Sequence, residues 1–334
     1  MDMDILIVKL GALGDVVNTL PLAITLKKQL GAHIHWVVEP LSYPLVAHHR
    51  CVDSTIVFDK HNWIQSLPGV IRQIRKQRFD ICLDLQRIIK SGLLCLASRS
   101  TRRIGFDQHR CKEMTGIFPF DRIPASDPGR HMLLQYLEFA EYLGIQDHAI
   151  CWNIPVDEHV PSGLPSQYLV LNIGATKEAN KWTPQGFASL AMAISGKYSV
   201  PCVLTGVSQD RAMADTIIDI AGKHVIDLVG KTSLQDLINV LNGSLAVVSC
   251  DTGPMHLGVA LGREVIALFG PADPSRTGPY RGHVIKKQLH CSPCNKRACK
   301  DPVCMTSIRS EDVMEKIDLV LKAHGLQARS DTTE

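Results

Sequence analysis

The segments LAVVSC (Leu245–Cys250), DTGPMHL (Asp251–Leu257) and VIALF (Val265–Phe269) decide the fold of this chain. The two apolar runs are typical of buried strands, and the segment between them is a turn that opens a helix. A helix N-terminus carries unpaired N–H groups and partial positive charge, so the Thr-Gly pair at its start predicts an anionic ligand. The alternative is that Asp251 and Thr252 only cap the helix.

Strand-like and helix-like segments alternate along almost the whole chain. The alternation begins with an apolar run at Met3–Val8 and a segment of helical spacing at Val16–Leu30. Continuously apolar strands between helices predict parallel sheets that are covered on both faces. The chain is therefore predicted to be an α/β protein with two Rossmann-like domains that face each other across a ligand-binding cleft.

Three prolines, Pro155, Pro161 and Pro165, interrupt this alternation and predict the domain linker. An amphipathic helix near the C-terminus is expected to pack back toward the first domain, and the polar end of the chain is expected to be disordered. The predicted boundaries are 1–155 for the first domain, 156–308 for the second, 309–327 for the C-terminal helix and 328–334 for the tail.

The composition excludes several classes of protein. With 334 residues, of which 45% are hydrophobic and 21% charged, the chain can form two packed domains. No apolar stretch approaches the roughly twenty residues that span a bilayer, and we expect no leader sequence, so a cytosolic protein is predicted. The formal net charge of +3 gives no case for nucleic-acid binding.

The first strand ends in the loop Lys9–Val16, whose two glycines allow a strand-to-helix turn to lie close to a ligand. Asp15 then lies at the mouth of the predicted cleft. The third glycine of a dinucleotide fingerprint is missing, which argues against a nicotinamide-dependent dehydrogenase. The alternative is a tight turn in which Asp15 is a helix N-cap.

The second domain contains a comparable loop, Asn172–Trp182, between a strand and a helix that Pro184 can start. Thr176 and backbone N–H groups can donate hydrogen bonds to a diphosphate, and Lys181 supplies a positive charge. The alternative is a solvated polar loop with two lysines.

Three motifs together resemble a known family. They are Lys9-x-Gly-x-x-Gly-Asp15-Val16 with Thr19-Leu-Pro-Leu22, the Lys181-Trp182 loop, and Asp251-Thr-Gly-Pro-Met-His256-Leu with Leu268-Phe-Gly-Pro-x-Asp273-Pro274. Over nearly its whole length the chain resembles the ADP-heptose:lipopolysaccharide heptosyltransferases of glycosyltransferase family 9. Its first half is more similar to heptosyltransferase I than to heptosyltransferase II. Arg87-Ile88-Ile89 departs from the small and apolar residues that are expected after Gln86.

The resemblance implies a GT-B fold, with the acceptor on the first domain and the nucleotide sugar on the second. At the matching positions Asp15 is the general base toward the acceptor hydroxyl. His256 either contacts the donor or packs within its helix, and contact is the favoured interpretation. The donor-binding residues that the resemblance implies are Thr176, Lys181, Asp251, Thr252, Gly253 and His256.

The implied activity is transfer of heptose, with inversion, from ADP-heptose to the Kdo-lipid A region of lipopolysaccharide, at the cytosolic face of the inner membrane. The residue types suit this reaction, because a base and a cationic diphosphate site allow transfer without a cofactor. One alternative is a related transferase that uses another nucleotide sugar or a protein acceptor. A second is a non-catalytic, metal-stabilised scaffold.

The middle of the first domain is rich in basic residues. Residues 72–112 contain eleven Lys or Arg against three Asp. Such a cluster suits a phosphorylated and carboxylated glycolipid at an anionic membrane surface, although helical spacing explains part of it as a solvated face. The predicted acceptor-binding residues are Gly14, Lys90, Arg99, Arg102 and Arg103.

Four of the eleven cysteines fall within fourteen residues, with the spacing C-x2-C-x4-C-x4-C. Four thiolates suit zinc or iron, so a structural metal site is one interpretation, and reduced or redox-active thiols are the other. The candidate ligands are Cys291, Cys294, Cys299 and Cys304.

Overall fold

A computed structural model describes residues 3–157, 161 and 163–329. The chain divides into two compact units, of which the first ends at Pro155 and the second begins at Val156. Each unit contains one six-stranded parallel sheet with helices packed around it, which confirms the predicted α/β class.

The first unit begins with the strand that the sequence predicts. Its elements are β1 (Asp4–Val8), α1 (Leu13–Leu30), β2 (His33–Val38), α2 (Tyr43–Ala47), β3 (Ser54–Val57), α3 (Trp63–Ile74), β4 (Phe79–Asp84), α4 (Ile89–Ala97), β5 (Ser100–Gly105), β6 (Asp121–Arg122) and α5 (Met132–Tyr142). The strands pair in the order β3-β2-β1-β4-β5-β6. Because β1 is central, the side chains of Ile5–Val8 are completely buried, which explains its continuously apolar sequence.

The second unit repeats this construction. Its elements are β7 (Leu169–Asn172), α6 (Pro184–Tyr198), β8 (Cys202–Thr205), α7 (Arg211–Ala221), β9 (Val225–Asp227), α8 (Leu234–Asn242), β10 (Ala246–Cys250), α9 (Gly253–Ala260), β11 (Glu264–Phe269), α10 (Pro274–Thr277), β12 (His283–Lys286), α11 (Val303–Thr306) and α12 (Ser310–Ala323). The strands pair in the order β12-β11-β10-β7-β8-β9. Trp182 and Phe187 pack edge to face, 4.8 Å apart, within its apolar core.

In both sheets the strand order reverses at one point, between β1 and β4 and between β7 and β10. Ligands of parallel α/β sheets bind beyond the carboxyl ends of the strands at such a switch point. The loops after β1 and β4 therefore form one candidate site, and the loops after β7 and β10 form another. These loops contain Asp15, Lys181 and Asp251, which the sequence identifies.

β5 is a strand that the sequence pattern does not reveal. Its sequence STRRIG carries two arginines and lacks the apolar run of the other strands. On its outer side β5 pairs only with the two-residue strand β6, so Arg102 remains exposed and the strand tolerates the charge.

The C-terminal helix α12 packs against α6, β11 and β12 within the second unit. Its predicted return toward the first domain stays a prediction. Residues 330–334 of the predicted disordered tail lie outside the described residues, whereas the N–H of Arg329 donates to the carbonyl of Lys197 at 2.8 Å. Among the described residues, no helix is both long and apolar enough to cross a bilayer.

Candidate functional site

Lys9 and Asp15 form an ion pair at the carboxyl end of β1. Asp15 lies in the first turn of α1, where the helix dipole favours a negative charge. Lys9 Nζ lies 3.1 Å from Asp15 Oδ2, and the hydroxyl of Tyr136, from α5, donates to Asp15 Oδ1 at 3.1 Å. Lys9 is buried, whereas the side chain of Asp15 is 39% exposed. Two donors therefore fix a carboxylate that solvent can still reach.

This ion pair changes the proton affinity of both partners. Burial lowers the pKa of Lys9 from 10.5 to about 8; Asp15 opposes the shift, and Arg87 and Lys112 add to it. Burial acts to raise the pKa of Asp15, but Lys9, Arg87 and the Tyr136 hydroxyl outweigh it and hold this pKa below its ordinary value. Asp15 is therefore ionised at neutral pH and able to accept a hydrogen bond from an incoming hydroxyl.

The loop after β4 supports the loop after β1. Gln86 Oε1 accepts hydrogen bonds from the N–H groups of Leu10 and Gly11, at 3.0 and 3.3 Å. Asp84 Oδ1 accepts from the N–H groups of Gln86 and Arg87, both at 3.2 Å. These bonds fix the two turns against each other, and Lys9 Nζ also donates to the carbonyl of Leu85 at 3.5 Å.

Lys181 lies in the loop after β7, beside two carboxylates. Its Nζ is 2.9 Å from Glu178 Oε2 and 3.8 Å from Asp210 Oδ1. Asp210 is buried against Gly174, where an added Cβ would approach the carboxylate to 2.5 Å. Glu178 is 72% exposed, so its ion pair with Lys181 contributes little. Lys181 can therefore exchange this partner for a phosphate.

Asp251 and Thr252 follow β10, where the sequence predicts the turn. Asn180 Nδ2 donates to Asp251 Oδ2 at 3.2 Å, which joins this turn to the loop of Lys181. Thr252 is the N-cap of α9, and within the described structure its hydroxyl accepts no N–H of that helix. The capping alternative for Thr252 is thus not what the structure shows, and the start of α9 suits an anion.

The other predicted donor residues differ in exposure. Thr176 is exposed in the loop of Lys181, and Gly253 is partly exposed in the first turn of α9. His256 lies one turn further along α9 and is only 8% exposed. This burial favours packing within the second unit over the predicted contact of His256 with a donor.

Gly14 and Lys90, two of the predicted acceptor-binding residues, lie in the first turns of α1 and α4, at the carboxyl edge of the first sheet. Gly14 is buried in the first turn of α1, next to Asp15. Lys90 Nζ donates to the carbonyl of Lys60 at 2.9 Å and lies 5.3 Å from the ring centroid of Trp63. Lys90 therefore ties two loops together.

The three predicted arginines do not gather around Asp15. Arg99 precedes β5, at the edge of the sheet opposite to Asp15. Arg102 pairs with Asp121 on the surface. Arg103 donates to the carbonyls of two residues at the end of α4, at 2.8 and 2.7 Å. The structure thus gives Arg102 and Arg103 structural partners instead of an acceptor surface.

Lys9, Gln86 and Tyr136 hold the site but carry no predicted role. Lys9 and Gln86 occur in the quoted motifs, and a lysine that closes the apolar strand ILIVK is a signal of its own. Tyr136 is 121 residues away from Asp15 in the chain. No local pattern marks it, because only the packing of α5 on α1 brings the two residues together.

The structure does not assemble the predicted four-cysteine metal site. Cys304 is buried in α11, whereas Cys291, Cys294 and Cys299 are exposed in the preceding loop. Within the described ranges, no three Cys, His, Asp or Glu side chains are placed to hold a metal ion. Burial raises the pKa of the Cys304 thiol, and the nearby Cys291 and Cys294 act in the same direction. The zinc or iron interpretation therefore has no ligand set in this structure.

Comparisons with known proteins agree with the resemblance seen in the motifs. The model of the family described as "Glycosyltransferase family 9 (heptosyltransferase)" matches residues 69–304. Lipopolysaccharide heptosyltransferase 1 from Pseudomonas aeruginosa is 26% identical and covers 96% of this chain and 99% of its own.

Two solved structures are similar over the whole chain. A family 9 glycosyl transferase from Veillonella parvula has a TM-score of 0.80 at 24% identity and covers 96% of this chain and 97% of its own. E. coli heptosyltransferase WaaC with ADP has a TM-score of 0.77 at 23% identity and covers 95% and 100%. These likenesses confirm the predicted GT-B fold class.

Proposed function

Because the chain belongs to glycosyltransferase family 9, we propose that it transfers heptose from ADP-heptose to the inner core of lipopolysaccharide. The relative from P. aeruginosa is named a lipopolysaccharide heptosyltransferase, and the solved E. coli heptosyltransferase holds ADP. Membership of the family confirms that the protein is a glycosyltransferase, which removes the scaffold alternative. The donor, the acceptor and the stereochemistry are the proposed part.

The state of Asp15 is the observation that carries this proposal. It is a carboxylate that is ionised at neutral pH, held by Lys9 and Tyr136, and 39% exposed at a topological switch point. A general base needs this combination of a fixed position, the deprotonated form and access for substrate. We therefore assign Asp15 as the base that acts on the acceptor hydroxyl.

The proposed reaction is a single displacement with inversion. Asp15 takes the proton of the acceptor hydroxyl while that oxygen bonds to the anomeric carbon of heptose. The bond from this carbon to the diphosphate oxygen breaks, and its electron pair leaves with ADP. The low pKa of Asp15 makes it a weak base, so proton transfer is expected to be late, after the new bond has begun to form.

The second unit supplies the groups for the leaving diphosphate. Among the described residues, an exposed partner, Glu178, and the more distant Asp210 offset the charge of Lys181. The N-terminus of α9 at Thr252 and Gly253 adds backbone N–H groups and dipole charge. Both stabilise the negative charge that develops on ADP, which is the larger electrostatic demand of the reaction.

The test is turnover by the purified protein. ADP-heptose is incubated with acceptors truncated to Kdo-lipid A or extended by one heptose, and the products are identified by mass. One added heptose on one acceptor, lost in Asp15→Asn, supports the proposal. Transfer from a different nucleotide sugar, or to a protein, would replace it by the corresponding alternative.

We also propose that the protein works at the cytosolic face of the inner membrane, because a lipid-anchored acceptor has to be reached there. Flotation of the full chain with vesicles that contain the acceptor tests this location. A protein that stays with the soluble fraction at physiological salt would contradict it.

A further inference from the structure

Arg87 is a buried cation that forms no direct ion pair with a carboxylate of the described residues. The residue is 6% exposed, and its Nε has no hydrogen-bond partner among the described residues. Its Nη1 donates only to the carbonyl of Arg110, at 3.4 Å, and Nη2 lies 3.9 Å from Met132 Sδ. A buried guanidinium is costly when no anion accompanies it, so this environment is incomplete.

Arg110 shows what a completed environment looks like in the same place. Both guanidinium groups lie on the ring of Phe106, with centroid distances of 4.5 Å for Arg87 and 5.0 Å for Arg110. Arg110 is paired with Asp107 and, at 2.6 Å, with Glu138. Among the described residues, two carboxylates thus form ion pairs with Arg110, whereas none lies within ion-pair distance of Arg87.

The backbone holds Arg87 in this position. Its φ of 65° is in the left-handed region, which is uncommon for a residue other than glycine. The carboxylate of Asp84 accepts the N–H of Arg87 at 3.2 Å and fixes the turn. A constrained backbone that keeps an unpaired cation buried is a feature that a ligand explains better than packing does.

The charges around Arg87 favour an anion. Lys9 and Lys112 carry further positive charges near Arg87, since Arg87 and Lys112 both act to lower the pKa of Lys9. Asp15, which Lys9 and Tyr136 already hold, and Asp84, whose pKa is raised by burial, are carboxylates that face this cluster. Glu113 follows Lys112 in the chain, and its Oε2 accepts the N–H of Ile89 at 3.1 Å. These cations lie beside Asp15, which is the point where the cluster is exposed to solvent.

We propose that Arg87 forms an anion subsite beside Asp15, which binds a carboxylate or phosphate of the acceptor next to the reacting hydroxyl. The planar guanidinium matches either group with two parallel hydrogen bonds. This inference rests on the proposed function for the identity of the acceptor. It makes Arg87, where the sequence departs from the expected pattern, a residue that determines acceptor specificity.

The test compares Arg87→Asn and Arg87→Lys with the wild type on three deacylated acceptors. Asparagine tolerates the left-handed backbone conformation of residue 87. Lysine keeps the positive charge but lacks the two parallel N–H donors of the guanidinium. The acceptors are deacylated Kdo-lipid A, its carboxyl methyl ester and its dephosphorylated form. Arg99→Asn, at the opposite edge of the sheet, is the matched control, and thermal melts confirm that each variant folds.

Arg87→Asn is expected to raise the acceptor KM roughly 10- to 100-fold, with the donor KM unchanged within about twofold. With the wild type, the KM for one of the two modified acceptors is expected to be higher than that for the unmodified acceptor by the same factor. With Arg87→Asn, the KM values for these two acceptors should be equal. A raised KM for the methyl ester identifies a carboxylate as the group that Arg87 binds, and a raised KM for the dephosphorylated acceptor identifies a phosphate. The acceptor KM of Arg87→Lys is expected to lie between those of the wild type and Arg87→Asn.

Equilibrium binding of the same acceptors without donor separates this inference from the proposed function. If the wild type binds all three equally, or if Arg87→Asn keeps the full preference, the subsite does not exist. A fall in kcat with a displaced acid limb of the pH profile and an unchanged acceptor KM would also overturn it, because Arg87 would then act only through Asp15. Absence of heptose transfer alone would reject the proposed function and leave the binding result to decide the subsite.

Discussion

The two lysines of the candidate sites, Lys9 in the first unit and Lys181 in the second, are held in opposite ways. Lys9 is 2% exposed, and its partner Asp15 is fixed by a second donor. Lys181 is 26% exposed, and its nearest partner, Glu178, is 72% exposed. The first pair is therefore built into the fold, whereas the second is a surface pair that exchanges easily.

This difference suits two kinds of chemistry. A base has to keep one position and one protonation state through each turnover, and burial with fixed partners provides both. A diphosphate site has to release its product, and a lysine that returns to a solvated glutamate gives up ADP without leaving a buried charge unpaired. The predictions below test the two lysines and the residues that accompany them.

The largest effect is expected for Asp15→Asn. The amide cannot accept the proton, so kcat should fall by about a hundred- to ten-thousandfold. The affinity for ADP should not change, because Asp15 belongs to the first unit and the proposed diphosphate groups belong to the second. Single-turnover kinetics and calorimetric titration with ADP measure the two quantities. Asp121→Asn, a surface carboxylate of the same unit, is the control, and an active Asp15→Asn would break the assignment.

Lys9→Met tests whether the buried ion pair of Lys9 and Asp15 controls the pKa of Asp15 and the pH dependence of stability. Loss of the ammonium removes the strongest influence that lowers the pKa of Asp15, so the acid limb of the kcat/KM profile should move to higher pH. The pH dependence of stability should change as well. In the unfolded chain Lys9 keeps its proton up to about 10.5, and in the folded protein only up to about 8.

Between these two values the unfolded state binds more protons, so stability should rise with pH in the wild type relative to Lys9→Met. The relative gain should be of the order of 3 kcal/mol across this window. Urea unfolding at pH 7.5, 9 and about 10.5 measures it. Parallel stability curves for the two proteins would show that Lys9 titrates normally and is not constrained by burial.

Lys181→Ala should affect binding instead of proton transfer. Removal of one charge-assisted contact is expected to weaken ADP binding roughly 10- to 100-fold, with little change in stability, because Lys181 is partly exposed. The acid limb of the pH profile should stay where it is. Lys197→Ala is the matched control, since this lysine of the same unit also pairs with a carboxylate, Asp318, at the surface. Unchanged ADP binding would remove Lys181 from the donor site.

The sequence predicts the elements that local pattern controls and fails where distant packing decides. The turn at Asp251–Thr252 follows from an apolar run and a Gly-Pro pair, and the structure places it after β10. The support of Asp15 by Tyr136 depends on the contact between α1 and α5, which no local pattern contains. The burial of Arg87 is equally hidden, although its departure from the family pattern is visible in the sequence.

The predicted acceptor arginines do not gather at Asp15 for a different reason. A count of basic residues shows that a segment is cationic, but it does not show to which edge of a sheet each side chain belongs. Arg102 and Arg103 occupy β5, where neighbouring residues project to opposite faces. Arg102 pairs with the surface carboxylate of Asp121, and Arg103 donates to a carbonyl near the end of α4, so both arginines have partners next to β5.

Arg102→Ala is therefore expected to have the smallest effect. Its ion pair with Asp121 is about half exposed on both sides, so its loss should change stability by less than about 1 kcal/mol. The acceptor KM should stay within about twofold of the wild type, in contrast to Arg87→Asn. Steady-state kinetics with Kdo-lipid A and a urea melt measure both quantities. A large rise in acceptor KM for Arg102→Ala would restore the charge-count prediction and extend the acceptor site along β5, away from the constrained pair at Asp15.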